Sequence, residues 1–234
     1  MILRFLCILR STLIVLIVPL LLVTTNVRLV ADSPYLYSYG FQKYGIESVT
    51  GIEMGQLELA GEKIRDYFSN DQDYLVIDIE RQGQKIKNLY NQREILHMKD
   101  VKNLIQLIYS IQIWSLLLFI TLILIGFLSI RLRKFSNVID PISWGGGLTL
   151  GIAAVVGILS LFGFQRLFLF FHLVSFDNDL WILDPTRDYL IMMFPQGFFF
   201  DATVFIVVLT LGQALLLWVL PRIIRRLRGL YKED

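Results

Sequence analysis

The chain has 234 residues, of which 55% are hydrophobic and 13% aromatic, and its formal net charge is +2. Continuous apolar runs of about 18 or more residues are typical of bilayer spans, and the weak net charge gives no reason to expect a nucleic-acid partner. The single cysteine, Cys7, excludes an internal disulfide and a cysteine-based zinc site.

Four apolar segments predict a helical membrane protein with four transmembrane helices. They cover residues 11–30, 103–130, 144–171 and 202–220. Pro19 lies inside the first segment, and Pro221 is expected to end the fourth. Arg4 and Arg10 precede the first segment as in a secretory signal, but VTTNVRLVADS offers no good small-x-small cleavage site. We therefore predict an uncleaved signal anchor.

Basic residues predict how the chain is oriented in the membrane. Residues 1–10, the loop 131–143 and the tail 221–234 hold ten lysines and arginines against three acids. Residues 32–102 instead hold nine basic and twelve acidic residues, and residues 177–201 hold five aspartates against one arginine. Both termini are therefore expected in the cytoplasm, with regions 31–102 and 172–201 outside. The ten are Arg4, Arg10, Arg131, Arg133, Lys134, Arg222, Arg225, Arg226, Arg228 and Lys232.

The region 31–102 predicts a small extracytoplasmic cap containing both helix and strand. MGQLELAGEKIRDYF has the spacing of a short amphipathic helix, with Leu57, Ile64 and Phe68 near one face. DYLVIDI, ERQG and QKIKNLY predict a hairpin, because strand-forming residues flank a polar turn that contains glycine. Two strands alone are marginal in water, so we expect the cap to lie on the outer ends of the helices.

The third apolar segment contains small residues at four-residue spacing, Gly147 with Gly151 and Ala153 with Gly157. Small residues at this spacing let two membrane helices approach closely. The segment is also longer than a bilayer requires, because residues 144–163 already span about 30 Å at about 1.5 Å per residue. The stretch FQRLFLFFHLVSF is therefore expected to emerge at the outer interface.

The chain has only two histidines, and both lie at the outer edge of a predicted span. His97, in REILHMKD, comes just before the second segment, and His172, in LFFHLVSFDND, follows the third. An interfacial histidine can be an ordinary amphipathic residue. Histidine is nevertheless the usual side chain for proton transfer near neutral pH. The shared position predicts that His97 and His172 form one catalytic site.

Aromatic residues are concentrated around the second histidine, with 13 among the 44 residues from 162 to 205 against 31 in the whole chain. A membrane-interface belt explains part of this enrichment, and a pocket that accepts lipid is a second explanation. The Asp-Asn-Asp sequence at 177–179 lacks an EF-hand pattern and is a weak signal for calcium or magnesium, so we predict no metal or cofactor.

The sequence has no HExxH, GxSxG or P-loop motif. The histidines therefore suggest direct acyl transfer, in which the substrate supplies its own attacking group. One neutral imidazole would accept a proton, and one imidazolium would donate to the developing oxyanion or leaving oxygen. Helix dipoles favour neutral His97 as the base and charged His172 as the acid, but Asp100 favours the charged form of His97. The assignment of the two roles stays open.

Three long motifs, REILHMKDVK, FHLVSFDNDLWILDP and FPQGFFFD, resemble the bacterial lipoprotein intramolecular transacylase family. The likeness extends upstream to NVR at 26–28, to YLYSYGFQKYGIESVTGI and to DYF at 66–68. It implies four transmembrane helices, an extracytoplasmic cap and two catalytic histidines, which match His97 and His172. The implied reaction, in the bacterial cytoplasmic membrane, moves the sn-2 acyl chain of a diacylglyceryl lipoprotein to the α-amine of its N-terminal cysteine.

The resemblance also suggests groups that support the histidines or position the substrate. Each has an ordinary alternative, such as favouring a helix start for the acids or snorkelling for the arginine. These residues are Arg28, Glu94, Asp100, Asn178, Asp179 and Trp181. Two other functions compete: an acyl hydrolase, which would release free fatty acid, and a membrane interaction or transport protein. The spans carry only scattered polar groups, which disfavours transport.

Overall fold

The computed structural model describes residues 2–81, 83–130 and 136–230. Arg131, Arg133, Lys134 and Lys232, which contribute to the predicted orientation, lie outside these residues. The described elements are α1 (Ile2–Ala31), α2 (Pro34–Lys43), α3 (Ile46–Thr50), α4 (Met54–Ser69), β1 (Ile79–Arg81), β2 (Gln84–Ile86), α5 (Gln92–Ile130), α6 (Ser136–Ser175), α7 (Tyr189–Met193) and α8 (Gln196–Leu230).

Helices α1, α5, α6 and α8 are each long and apolar enough to cross a membrane. Only between 11% and 22% of their most apolar windows is buried inside the protein. Apolar surface of this extent is unfavourable in water and favourable in lipid, so the chain is a multi-pass membrane protein. The helices run beyond the predicted apolar segments, and α5 begins at Gln92 because the polar residues before its apolar run continue the same helix.

The prediction that the fourth helix ends at Pro221 was wrong, because α8 continues to Leu230. Proline has no backbone N–H, so the carbonyl four residues earlier in the helix loses its hydrogen bond. Here the Trp218 carbonyl accepts a 3.0 Å hydrogen bond from Ser143 Oγ and a second one from Arg222 Nη1. Pro221 deprives the Leu217 carbonyl of its donor, and these bonds to the next carbonyl hold the same turn of α8 in place, so that the helix continues through the proline.

The chain divides into two compact units, and each of the four long helices contributes to both. Unit 1 comprises Met1–Val27, Tyr109–Ile158 and Phe205–Asp234. Its apolar core includes Ile14, Val18 and Leu122. Asn26 is fully buried, donates to Thr210 Oγ1 at 3.0 Å and exchanges two hydrogen bonds with Gln213. The buried polar residues thus satisfy one another between α1 and α8.

The small residues of α6 bring helices together as predicted, with the exception of Gly151. A Cβ placed on Gly147 would lie 3.1 Å from the Trp218 ring, and one on Gly157 would lie 3.2 Å from Val207. Gly151 would meet no described atom within 4 Å, so its predicted packing role was wrong. Gly146 has the tightest backbone contact, 2.8 Å from the Ala214 carbonyl oxygen. Four-residue spacing alone could not identify which glycines face α8.

We expect Gly146→Ala to destabilise the protein and Gly151→Ala to leave its stability unchanged. The new methyl group at Gly146 would lie 2.8 Å and 3.0 Å from backbone atoms of Ala214 and Trp218, which cannot rotate away as a side chain can. Overpacking of this kind costs about 1–3 kcal/mol. Thermal unfolding of both variants in the same detergent checks the prediction, and equal unfolding temperatures would contradict it.

Unit 2 comprises Arg28–Ile108 and Leu159–Val204. Its core holds Phe41, Leu57 and Tyr67, each less than 2% exposed. The predicted hairpin is present as two antiparallel strands of three residues each, with Ile79 opposite Ile86. The paired strands are shorter than the sequence pattern predicts, because residues 73–78 and 87–90 form irregular structure instead of strand. Gly83, with φ of 77°, forms the turn.

Asp201 joins α8 to α2 within unit 2. Both of its carboxylate oxygens lie 2.8 Å from Lys43 Nζ, and Tyr44 donates to Oδ2 at 2.8 Å. Gly197 allows this approach, because a Cβ there would lie 2.6 Å from the Tyr44 ring. The FPQGFFFD motif therefore supplies both the small residue and the acid that hold α8 against α2.

Candidate functional site

Helices α5 and α6 place the two histidines side by side in unit 2. The ring centroids of His97 and His172 are 6.3 Å apart, and the ring planes are inclined by only 30°. The residues are 7% and 8% exposed. Two ordinary surface histidines would not be expected to bury against each other in this way. The two imidazoles are therefore neighbours in the fold, as a shared site requires.

The main chain fixes one nitrogen of His172. Its Nδ1 is 2.8 Å from the Phe168 carbonyl oxygen, one helical turn earlier. A carbonyl only accepts, so Nδ1 carries the proton and donates. In the neutral ring, Nε2 then holds the lone pair. His172 is therefore preorganised to accept a proton at Nε2, with the carbonyl able to stabilise the resulting imidazolium.

The hydrogen bonding of His97 is incomplete among the described residues. Its Nδ1 is buried and has no hydrogen-bond partner among the described residues. The Phe176 ring, 5.2 Å away by centroids in an edge-to-face arrangement, offers no polar group to it. A buried nitrogen without a partner is uncommon in a folded protein and is a feature of binding and catalytic sites. A polar atom of a substrate would complete its bonding.

Aromatic rings form the wall around His172. The aromatic residues that the composition shows around the second histidine therefore contact it, and their surface suits hydrocarbon beside a small polar centre. Trp181, predicted as a supporting residue, is among the rings in contact with the histidine. The ring centroids closest to His172 belong to Phe168 at 4.4 Å, Trp181 at 5.0 Å, Phe171 at 5.3 Å and Phe176 at 5.7 Å.

Glu94 lies one helical turn before His97 and is 1% exposed. Its Oε1 accepts the backbone N–H of Leu190 at 2.6 Å, and its Oε2 accepts that of Asn91 at 2.8 Å. Both oxygens are therefore engaged by the main chain. This carboxylate joins the start of α5 to the start of α7, and such contacts suit a group that positions a helix.

Asp188 extends this support and was not singled out as a site residue by the sequence. It is fully buried, and its Oδ1 accepts from the Asn91 amide at 2.9 Å and from Arg187 Nε at 3.0 Å. Its Oδ2 accepts the Asp184 N–H at 2.8 Å. Burial alone would raise the pKa of Asp188, but the hydrogen bonds and the Arg187 guanidinium outweigh it and hold the pKa below its ordinary value.

We expect the depressed pKa of Asp188 to appear as acid sensitivity. A carboxylate of lowered pKa stabilises the folded state above its unfolded pKa, ordinarily 3.8, and that stability is lost as the pH falls through the folded pKa. Asp188→Asn should lower the unfolding temperature by a few degrees at neutral pH and make it less sensitive to acid. Melting curves from neutral to acidic pH test this. Parallel curves for variant and wild type would contradict it.

The structure also brings Asp100 and Asn178 together. Asn178 Nδ2 donates to Asp100 Oδ2 at 2.9 Å, and its Oδ1 accepts the Leu180 N–H at 3.0 Å. The Asp179 carbonyl oxygen accepts from Arg93 Nη2. These contacts connect α5 to the turn after α6 and thereby position both histidine-bearing helices. The resemblance suggested Asp179 as a supporting residue, and the contact that it makes to Arg93 comes from its main-chain carbonyl.

Arg28 is placed differently from the other predicted residues. It lies near the end of α1 with its Nε 3.6 Å from Asp32, and its side chain is 40% exposed. This contact does not join it to the histidine pair. Asn91 and Arg93, which support the site, were missed because their partners are remote in sequence. The only signal for them in the sequence was their proximity to His97: Arg93 begins REILHMKD, and Asn91 lies two positions before it.

Known proteins resemble this chain in sequence and in fold. The model of the family described as lipoprotein intramolecular transacylase Lit matches residues 12–199. An uncharacterised protein of Aquifex aeolicus (strain VF5) is 29% identical over 125 residues, which cover 53% of this chain. The chain spans about half of that relative's length, 52%.

The solved structures that are similar show the fold. The membrane integral lipoprotein intramolecular transacylase Lit from Bacillus cereus superposes with a TM-score of 0.81 at 18% identity, covering 97% of this chain and 99% of that one. Two variants of that protein, with one histidine replaced by arginine or by alanine, give 0.74 at 18% identity. They cover 97% of this chain and 96% and 97% of theirs. The family match extends over most of the sequence, and this chain belongs to the lipoprotein intramolecular transacylase family.

Proposed function

We propose that the protein is a membrane acyltransferase that converts a diacylglyceryl lipoprotein into its lyso-form. The α-amine of the N-terminal cysteine attacks the carbonyl carbon of the sn-2 ester, so a C–N bond forms and the C–O bond to glycerol breaks. The amine loses one proton and the glyceryl oxygen gains one. The histidine pair in its aromatic wall is the observation that carries this proposal, together with family membership.

The two imidazoles divide the proton transfers. His172 accepts the proton of the attacking amine at Nε2, because its Nδ1–H is held by the Phe168 carbonyl. His97, whose Nδ1 has no described hydrogen-bond partner, binds the developing oxyanion or the glyceryl oxygen and donates to it when protonated. This assignment reverses the one favoured by helix dipoles, because the carbonyl contact acts on a specific nitrogen at 2.8 Å.

The reaction asks the protein mainly to hold one molecule in a folded-back conformation. Donor ester and acceptor amine belong to the same lipoprotein, and good positioning can supply up to about 7–11 kcal/mol of the barrier in ideal cases. The rings of Phe168, Phe171 and Trp181 surround His172 and give the acyl chain an apolar surface beside the reacting carbonyl. Diacylglyceryl lipoproteins and membrane lipid are thus the proposed partners.

The site faces the outer side of the bacterial cytoplasmic membrane in this proposal, and both termini are cytoplasmic. The charge distribution supports this orientation, since ten lysines and arginines flank the spans on one side against three acids. The cap and the loop from 172 to 201, which carry most of the acidic residues between spans, are then extracytoplasmic. An outer site would meet lipoproteins after export.

The test is mass spectrometry of the N-terminal lipopeptide of a reporter lipoprotein. The reporter is co-expressed with the chain in a bacterium that lacks this activity. We expect an N-acylated cysteine carrying a monoacylglyceryl thioether, with no free fatty acid released. Loss of the acyl chain as free fatty acid would identify a hydrolase instead. An unmodified diacylglyceryl form would show that the fold does not carry this reaction on that reporter.

A further inference from the structure

Unit 1 contains a cavity that has no part in the histidine site. Its volume is about 500 Å³, and it lies between the N-terminal part of α1 and the first turns of α6. The polar and aromatic residues that line it include Arg4, Arg10, Ser11, Thr12, Asp140 and Trp144. No step of the proposed acyl transfer uses any of them.

The cavity combines positive charge with hydrogen-bond donors. The lining contains two guanidinium groups, from Arg4 and Arg10, and one carboxylate, from Asp140. The hydroxyl groups of Ser11 and Thr12 add hydrogen-bond donors. Arg10 is only 8% exposed, whereas Arg4 is exposed. Guanidinium groups bind phosphate through paired, charge-assisted hydrogen bonds. The charge and donors therefore favour a phosphate group.

A third arginine, Arg222, lies beside Trp144, the aromatic residue that lines the cavity. The Arg222 guanidinium lies 5.9 Å from the centre of the Trp144 ring and 4.5 Å from that of Trp218. Arg222 also donates to Ser143 Oγ at 2.7 Å, which holds the arginine near the start of α6. Tryptophan and arginine in this arrangement are typical of the level where lipid headgroups meet the hydrocarbon.

Apolar residues complete the lining. Ile8, Val15 and Pro141 face the same cavity, on two helices that are apolar enough to cross the membrane. A free phosphate would gain nothing from this apolar surface, whereas a phospholipid would place its headgroup at the arginines and its glycerol and upper acyl carbons against the apolar residues. Basic pockets between membrane helices bind anionic lipid headgroups in this manner.

We propose that this cavity is a binding site for the phosphate-bearing headgroup of an anionic phospholipid, with Arg4 and Arg10 as its phosphate ligands. It is separate from the acyl-transfer function and does not depend on it. In the orientation proposed above, the lipid belongs to the cytoplasmic leaflet. Bound there, it would join α1 to α6 within unit 1 and stabilise the folded protein by mass action.

The test uses the purified full chain in detergent, with native mass spectrometry and thermal unfolding as readouts. The probes are phosphatidylglycerol, phosphatidylcholine and inorganic phosphate. Arg4→Gln removes one phosphate ligand at an exposed position, and Ser11→Phe fills the cavity without changing the charge. Arg166→Gln, an exposed arginine on α6 outside the cavity lining, is the matched control. A cooperative thermal unfolding transition without added lipid, at the wild-type temperature, shows that each variant has folded.

We expect phosphatidylglycerol to bind and to raise the unfolding temperature, with no effect from phosphatidylcholine. Arg4→Gln and Ser11→Phe should each weaken binding by about tenfold, and Arg166→Gln should not. Equal losses for Arg4→Gln and Arg166→Gln would overturn the site in favour of non-specific charge attraction. Stabilisation by inorganic phosphate to the same degree would overturn the lipid assignment. No loss with Ser11→Phe would place the lipid outside the cavity.

Discussion

Replacing either histidine by alanine is expected to abolish formation of the lyso-form lipoprotein. Both proton transfers in the proposed mechanism depend on these side chains, and general acid–base groups each contribute about 10²–10⁴-fold to a rate. His97→Ala removes the proposed donor to the oxyanion, and His172→Ala removes the proposed base. Purified variants with a synthetic diacylglyceryl lipopeptide, assayed by mass spectrometry over time, give the loss in rate. The double variant should be little slower than either single one, because the two act as a unit.

The control for the histidine variants is Phe176→Leu. The Phe176 ring lies 5.2 Å from His97 and 5.7 Å from His172 by centroids, so the change disturbs packing at both without removing a proton carrier. We expect less than a tenfold loss of rate, because a similar apolar volume is kept. If Phe176→Leu were as inactive as the histidine variants, packing rather than proton transfer would explain their loss. Full activity in either alanine variant would remove that histidine from the mechanism.

Glu94→Gln is expected to cost both stability and activity. The carboxylate accepts two backbone N–H groups, from Leu190 and Asn91, and an amide can replace only one of those acceptors. Loss of a buried hydrogen bond to a charged group costs about 1.5–3 kcal/mol. The start of α5 would shift relative to α7, and His97 would move with it. We expect a lower unfolding temperature and at least a tenfold slower transfer.

The matched control is Glu62→Gln, which makes the same chemical change at an exposed position on α4. It should leave both the unfolding temperature and the rate unchanged. Glu94 would have a proton-transfer role instead if Glu94→Gln abolished transfer while leaving the unfolding temperature at its wild-type value. That result would contradict the positioning role derived from its two main-chain contacts.

Much of the fold could be predicted because its signals are local. A bilayer span needs a continuous apolar run, and such runs appear directly in the sequence. The amphipathic helix at 54–68 and the turn at Gly83 likewise depend on residues within a few positions of each other. Where a local rule competed with packing, it was wrong: Pro221 did not end α8, whose turn at the proline is held by bonds from Ser143 and Arg222 to the Trp218 carbonyl. Gly151 had the predicted spacing but faces no neighbouring helix among the described residues.

The sequence by itself determined the four apolar segments, the scarcity of histidine, its position beside two of those segments, and the long motifs that relate the chain to its family. Only the tertiary structure decided which nitrogen of His172 carries the proton, and that Glu94 and Asp188 both bond Asn91. Glu94 and Leu190 are 96 residues apart in sequence, and Asn91 and Asp188 are 97 apart. Contacts over such separations depend on how the helices pack, and the spacing of residues along one helix carries no information about them.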